Sequence, residues 1–333
     1  MDDRRAHKNQ DEYSEIETRI KAKVKEAKET WIAESCQEVE ELLARHDDFH
    51  LHKKLKEMSG VYRQKNFPRA LKDERGTLIT DLPLKLEIWE KYIEMKFSDD
   101  VAPQDTIHAS AVLEGPPIME SEVCHALGHV RSGKALGPDE VPAEILKLLD
   151  EENVKKLTIL FNTIYDSGKL PLDWLHSIFI TLPKKANSQS CEEYRLISLM
   201  SHALKVLLRV IFHRINIKCE TTLSAEQFGF CGGLGTRDAL FCVQLLMQRC
   251  RDVQQDLFVC FIDFQRAFDS VRHGPLMELL ERLGLDSKDV RIIRNLYNEQ
   301  YASVLVEGYP STRIPISKGV RQGCLLSPQL SAI

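Results

Sequence analysis

Between Phe258 and Val271 the chain reads FVCFIDFQRAFDSV, an apolar run with Asp263 set between Ile262 and Phe264 and a second aspartate, Asp269, six positions later. This stretch constrains the fold more than any other. Its apolar residues ask for a core strand, yet an unpaired buried carboxylate costs several kcal/mol, roughly, unless it meets a cation. Something positive is therefore expected beside Asp263. A strand-end aspartate followed by a turn into a helix suits a hard cation, and magnesium takes one or two protein carboxylates plus phosphate oxygens at about 2.0–2.1 Å. The alternative for the pair is an Asx-type turn and a helix cap. Asp269, just before Ser270, is read as of that second kind.

Composition limits what else the chain can be. With 333 residues, 43% hydrophobic and 29% charged, it has material for a real core and for two domains. A net charge of −5 excludes a uniformly basic nucleic-acid binder, so any polyanion site must be a local patch. Nine cysteines without a C-x-x-C pair predict a reduced protein lacking structural zinc. No apolar run reaches the ~18 residues needed to span a bilayer, and the first residues lack a secretory apolar segment. The reading is intracellular, cytoplasmic or nuclear, with no membrane association.

Punctuation along the chain predicts an α+β protein. Residues 11–44 form a densely charged helix with a thin stripe at Ile20, Val24, Trp31 and Leu42 or Leu43, read as a solvated face. A turn-bearing extended segment precedes a helix over 83–97 with Leu86, Trp89 and Ile93 on one face. A polar connection near 98–117 separates a mostly helical region, 1–115, from 116–333. Beyond it, helices carrying SEVCHALGHVRSG and VPAEILKLLDEENVKKLTILFNTIYDSG end at Gly168. HSIFITLPKK and EEYRLISLM then make a hairpin. Ser201 caps the next helix and Thr236 the one after. The Asp263 strand, two short helices, a second hairpin from Tyr301 and an apolar helix entered at Cys324 complete the chain.

Lys184 and Lys185 at the tip of the first hairpin, with Arg195 on its return strand, place three cations on one element. Such a cluster can grip a triphosphate, although read alone it more often describes a solvated hairpin. CGGLGT, with Gly232, Gly233 and Gly235, is phosphate-loop-like but lacks the G-K-S/T ending.

LPKK (182–185), YRLISLMSHALKVLLRVIFHRI (194–215), AEQFGFCGGLGTRDALF (225–241), FIDFQRAFDSVRH (261–273) and GVRQGCLLSPQL (319–330) resemble, in order and spacing, the fingers and palm blocks of the reverse transcriptase domain of LINE-type non-LTR retrotransposons. GKALGPDEVPAEILK (133–147) resembles the block that precedes the fingers in those elements. The resemblance implies a right-hand polymerase: fingers and an incomplete palm over 116–333, after a helical N-terminal region. It implies an RNA-directed DNA polymerase working by two-metal nucleotidyl transfer on an RNA template and DNA primer, with dNTP and Mg²⁺. Asp263 matches the first catalytic aspartate and metal ligand. Phe268 matches the aromatic that closes over the sugar, and Phe264 is grouped with it among the nucleotide-binding residues. Lys184, Lys185 and Arg195 match triphosphate contacts, and Gln322 with Gly323 match the block lining the nucleotide pocket and template.

Departures from the pattern follow. The family's palm continues into a hairpin with adjacent aspartates, and no such pair follows Gln322 in this sequence. Leu196 stands where the family has proline; Cys231 and Leu234 stand where it has arginine; Leu136 replaces proline and Glu140 glycine. The expectation is a truncated, decayed copy, inactive as this chain. The alternatives are a nonenzymatic nucleic-acid or protein-binding remnant and a nonfunctional translation product. The segment CLLSPQLSAI is further expected to lack packing partners.

Overall fold

The computed structural model describes residues 12–45, 47–59, 70–73, 75–99, 114–185, 187–220 and 222–332. Most of the connection read at 98–117 lies outside them. Packing divides the chain into two units, Met1–Phe67 and Pro68–Ile333.

In the first unit, α1 (Glu12–Ala44) turns back into α2 (Asp48–Met58). Asp47 caps α2 by accepting the His50 amide at 3.1 Å, and Lys54 of α2 reaches Glu38 of α1 at 2.6 Å. The stripe predicted on α1 remains thin: Val24, Trp31 and Leu43 are exposed.

The second unit begins with a two-residue ladder, β1 (Leu71–Lys72) against β2 (Leu78–Ile79). Asp81 then caps α3 (Leu82–Phe97), with Pro83 in its first turn. Next come α4 (Glu120–Gly128), α5 (Ala143–Lys147), α6 (Glu151–Ser167) and the single turn α7 (Leu172–Leu175). The predicted end of α6 is present: Gly168 adopts φ +74°, and its amide bonds Ile164 O. The long helix read over 141–167 is divided at Leu148–Asp150, where Asp150 accepts the Asn153 amide and starts α6 afresh.

The predicted hairpin forms from β3 (His176–Pro183) and β4 (Tyr194–Leu199), antiparallel with Ile180 opposite Ile197. Ser201 caps α8 (His202–Glu220) through the Leu204 amide, as expected. For α9 (Thr236–Asp252) the cap is Gly235, not Thr236. The Asp238 carboxylate accepts the Gly235 amide and so closes the turn one residue earlier. Then follow α10 (His273–Arg282), α11 (Ser287–Asn298), β5 (Tyr301–Val306), β6 (Tyr309–Pro310), β7 (Ile314–Pro315) and α12 (Leu326–Ala332). The sheet runs β4-β3-β5-β6, with β3 and β5 parallel and β7 also on β5.

Two cores hold this unit. α3 lies on one sheet face, with Trp89 edge-on to Tyr194 (centroids 5.5 Å) and Phe97 against Phe179 (5.7 Å). A helical core joins α4, α6, α8, α10, α11 and α12. The terminal helix corrects an expectation: Leu326 and Leu330 are buried in that core, because α12 packs on α8. The 133–147 segment is fixed by a close approach. A side chain at Gly137 would meet the backbone of Met200 and Ser201 at 2.6 Å.

The helical core also encloses a carboxyl. Asp289 of α11 is buried, and burial raises its pKa from the ordinary 3.8 to about 6, against the lowering effect of Tyr165 and Arg214. The folded chain thus holds this proton more tightly than the unfolded one. Its contribution to stability is full below pH 3.8 and is lost as pH rises through 6. We expect Asp289→Asn to leave stability unchanged at pH 3.5 and to raise it by roughly 2–3 kcal/mol at pH 7.5. Denaturant melts at the two pH values check this; equal effects at both would contradict it.

Candidate nucleotide-binding cleft

A cleft with a volume near 570 Å³ opens where the β3–β4 hairpin, the end of α3, the 264–269 turn and the 322–328 segment meet. It gathers six of the residues singled out from sequence: Lys184, Arg195, Phe264, Phe268, Gln322 and Gly323. Four cations line it, Lys96, Lys184, Arg195 and Arg266, against one carboxylate, Asp269. In a chain of net charge −5, this is the local positive patch that polyanion binding requires.

Each side chain is placed by local structure. Arg195 follows buried Tyr194 on β4, and strand alternation turns it outward, exposed. Lys184 Nζ donates to Glu192 O at 2.8 Å, folding back across the hairpin. Arg266, at φ +55°, reaches Glu192 Oε1 at 2.9 Å and so meets the same residue as Lys184. Phe268 is half-buried against the helical core, with its edge to the Phe230 ring at 6.0 Å.

The Gln322–Gly323 segment is held from several directions. Gln322 O accepts the Ser198 amide at 2.8 Å, and its Nε2 donates to Asp269 Oδ1 at 2.9 Å. Gly323 has φ +113°, and a side chain there would stand 3.0 Å from Ser198 O. Only glycine lets the segment pass so close to β4. Next to them, the wholly buried Arg321 donates Nε to Gln300 Oε1 (3.1 Å), Nη1 to Trp174 O (3.1 Å), and Nη2 to Leu175 O (3.0 Å) and Leu296 O (3.4 Å). Burial pushes its pKa down.

Two of the predicted site residues lie elsewhere. Lys185 is bound to Glu193 at 2.6 Å, and that bond holds the Glu193 carboxyl down at about 2. Asp263 is the larger correction. Residues 255–264 form no strand; they run exposed, with Phe258, Phe261, Ile262 and Phe264 at 92%, 87%, 76% and 78% exposure. The pattern fits a strand, but a strand also needs a neighbour to satisfy its backbone, and the sheet offers this segment none. Asp263 does not line the cleft. Among the described residues no three His, Cys, Asp or Glu side chains are placed to hold a metal ion. One exposed carboxylate does not fit the two-ion magnesium site that the resemblance implied.

Sequence reading missed Lys96 and undervalued Asp269. Asp269 is buried, and its Oδ2 sits 2.8 Å from Lys96 Nζ. The signal was present on α3: Lys85 and Lys96 share the stripe of Trp89, Tyr92 and Ile93. A lysine on a buried stripe calls for a buried partner. Lys85 finds Glu307 at 2.7 Å and Lys96 finds Asp269.

The chain is similar to known proteins over part of its length. The family described as "Reverse transcriptase (RNA-dependent DNA polymerase)" matches residues 182–333. The chain is 27% identical, over 79% of its length and 30% of the relative's, to the RNA-directed DNA polymerase from mobile element jockey of Drosophila melanogaster. It is 28% identical to the jockey polymerase of Drosophila funebris, over 75% of this chain and 28% of that one. Against the probable RNA-directed DNA polymerase from transposon BS of Drosophila melanogaster it is 27% identical, over 65% and 24%. The chain therefore spans less than a third of the length of these relatives.

Proposed function

From the premise that this chain carries, at residues 182–333, a reverse transcriptase domain of a LINE-type retrotransposon element, we propose that its cleft receives the triphosphate of an incoming deoxynucleotide opposite an RNA template. The β3–β4 hairpin and the helices around it serve as fingers, and the β5 sheet with the 319–324 segment as part of a palm. One observation carries this reading: Lys184, Arg195, Phe268, Gln322 and Gly323, chosen by their positions in separate motifs, line one positively charged cleft. Arg195 is the exposed guanidinium available to a triphosphate, bidentately. Half-buried Phe268 offers a ring at the cleft wall, where a sugar would stack.

Nucleotidyl transfer is a separate matter. Reverse transcriptases depend on divalent metal, and the described residues as arranged do not fit one. Asp263 stands exposed beside Phe264, which lines the cleft, without lining it itself. The chain in this arrangement binds nucleotide and does not polymerise.

Titration of the full chain with a fluorescent dNTP tests the binding. We expect Arg195→Ala to weaken it about tenfold, the loss of one charge-assisted contact. An unchanged affinity would place the site elsewhere. In primer extension with an RNA template, Mg²⁺ and dNTPs we expect no product. Template-dependent product that disappears in Asp263→Ala would overturn that part.

A further inference from the structure

The helix that completes this cleft lies outside the matched domain. α3 ends at Phe97, far upstream of residue 182, yet its Lys96 lines the cleft and forms the ion pair with Asp269. We propose that Lys96 is a positioning residue: it neutralises Asp269, whose carboxylate then fixes the side-chain amide of Gln322 for the incoming nucleotide. This deepens the nucleotide-binding reading above and rests on it.

The geometry of the chain of contacts is complete. Lys96 and Asp269 side chains are only 7% and 8% exposed, so neither charge is stable there without the other. The ammonium is further held 5.6 Å from the centre of the Tyr92 ring and 5.4 Å from that of Phe97. Lys96 engages Asp269 Oδ2, leaving Oδ1 for Gln322 Nε2 at 2.9 Å. An ionised carboxylate only accepts, so the amide must turn its NH₂ toward Asp269 and its carbonyl oxygen away. That removes the two-fold ambiguity a glutamine amide otherwise has. The backbones are tied as well. Phe97 O accepts the amides of Ser317 and Lys318 at 3.0 and 3.1 Å, and Gly319 N donates to Val271 O at 2.7 Å. The end of α3, the Asp269 turn and the strand leading to Gln322 therefore form one joined support.

A purely structural ion pair would give the same picture, and the experiment must separate the two. Lys96→Met alone strands a buried carboxylate and destabilises the fold, so the informative variant is the double, Lys96→Met with Asp269→Asn. It removes both charges and keeps the shape, but an asparagine can donate as well as accept and no longer dictates the orientation of Gln322. We expect the double variant to melt close to the unsubstituted chain and to bind the fluorescent dNTP about tenfold more weakly, with Lys96→Arg retaining affinity. A folded double variant with full affinity would overturn the proposal. A second readout does not depend on nucleotide. The side-chain NH₂ resonances of Gln322, identified by their loss in Gln322→Ala, should be shifted and slow to exchange in the unsubstituted chain and ordinary in the double variant. If no variant binds dNTP yet these resonances respond, the nucleotide reading fails and the positioning of Gln322 stands. If the resonances are ordinary throughout, the proposal fails.

Discussion

At micromolar concentration the chain will sediment as heterogeneous oligomers and bind a hydrophobic dye, and replacing Phe258, Phe261 and Ile262 with serine will shift it toward monomer. Those side chains, with Phe264, are more than three-quarters exposed, in an extended run whose backbone pairs with no strand. α9 adds a second uncovered surface: none of its residues is buried, and Leu240, Phe241, Leu245 and Leu246 are each more than half exposed. Each large apolar side chain gains about 1.5–3 kcal/mol when fully buried, before the costs of association. An exposed apolar run outside any sheet of the described residues is also a template for edge-to-edge pairing. Analytical ultracentrifugation over a concentration series measures the effect. A monodisperse unsubstituted chain without dye binding would contradict it.

Replacing Arg321 with methionine will destabilise the second unit by about 3–5 kcal/mol, because it leaves several buried acceptors without a donor at about 1–3 kcal/mol each. The guanidinium serves the carbonyls of Trp174, Leu175 and Leu296 and the Gln300 side chain. It meets no carboxylate among these partners, so methionine strands acceptors rather than a countercharge. That joins the ends of α7 and α11 to the segment carrying Gln322. Arg321→Lys should recover only part of the loss, because a lysine cannot serve several diverging acceptors from a planar fork. Chemical denaturation, followed by the fluorescence of Trp174, reads both variants. A loss below about 1 kcal/mol for methionine would show that water replaces the guanidinium.

What sequence reveals here depends on the range of the interaction. The β3–β4 hairpin, the Ser201 cap and the Gly168 stop were legible because each is decided by residues close in sequence. The cleft was legible in outline because its motifs have a recognisable order. The run around Asp263 misled for a physical reason: an apolar run reports which residues want burial, not whether a neighbouring strand exists to bury them. Asp269 misled in the opposite way. Read locally, it was a turn residue; its meaning comes from Lys96, a partner on a distant helix. The uncovered surface was expected at CLLSPQLSAI, but α8 supplies that helix with partners, and the exposure falls on α9 and 257–264 instead.

The parallel pairing of β3 with β5 has a consequence for how the chain is made. His176 pairs with Tyr301, so the central ladder of the sheet cannot close until everything from β4 through α11 has been synthesised. At translation speeds of about 5–20 residues per second, that interval is on the order of ten seconds. Throughout it the β3–β4 hairpin waits with one edge of β3 open, and α3 has no β5 to complete its core. High contact order of this kind slows folding, since loop closure must be met before the pairing repays it. A nascent chain paused within α10 is thus the species most in need of a chaperone, and synonymous codons there should affect yield more than those in α1.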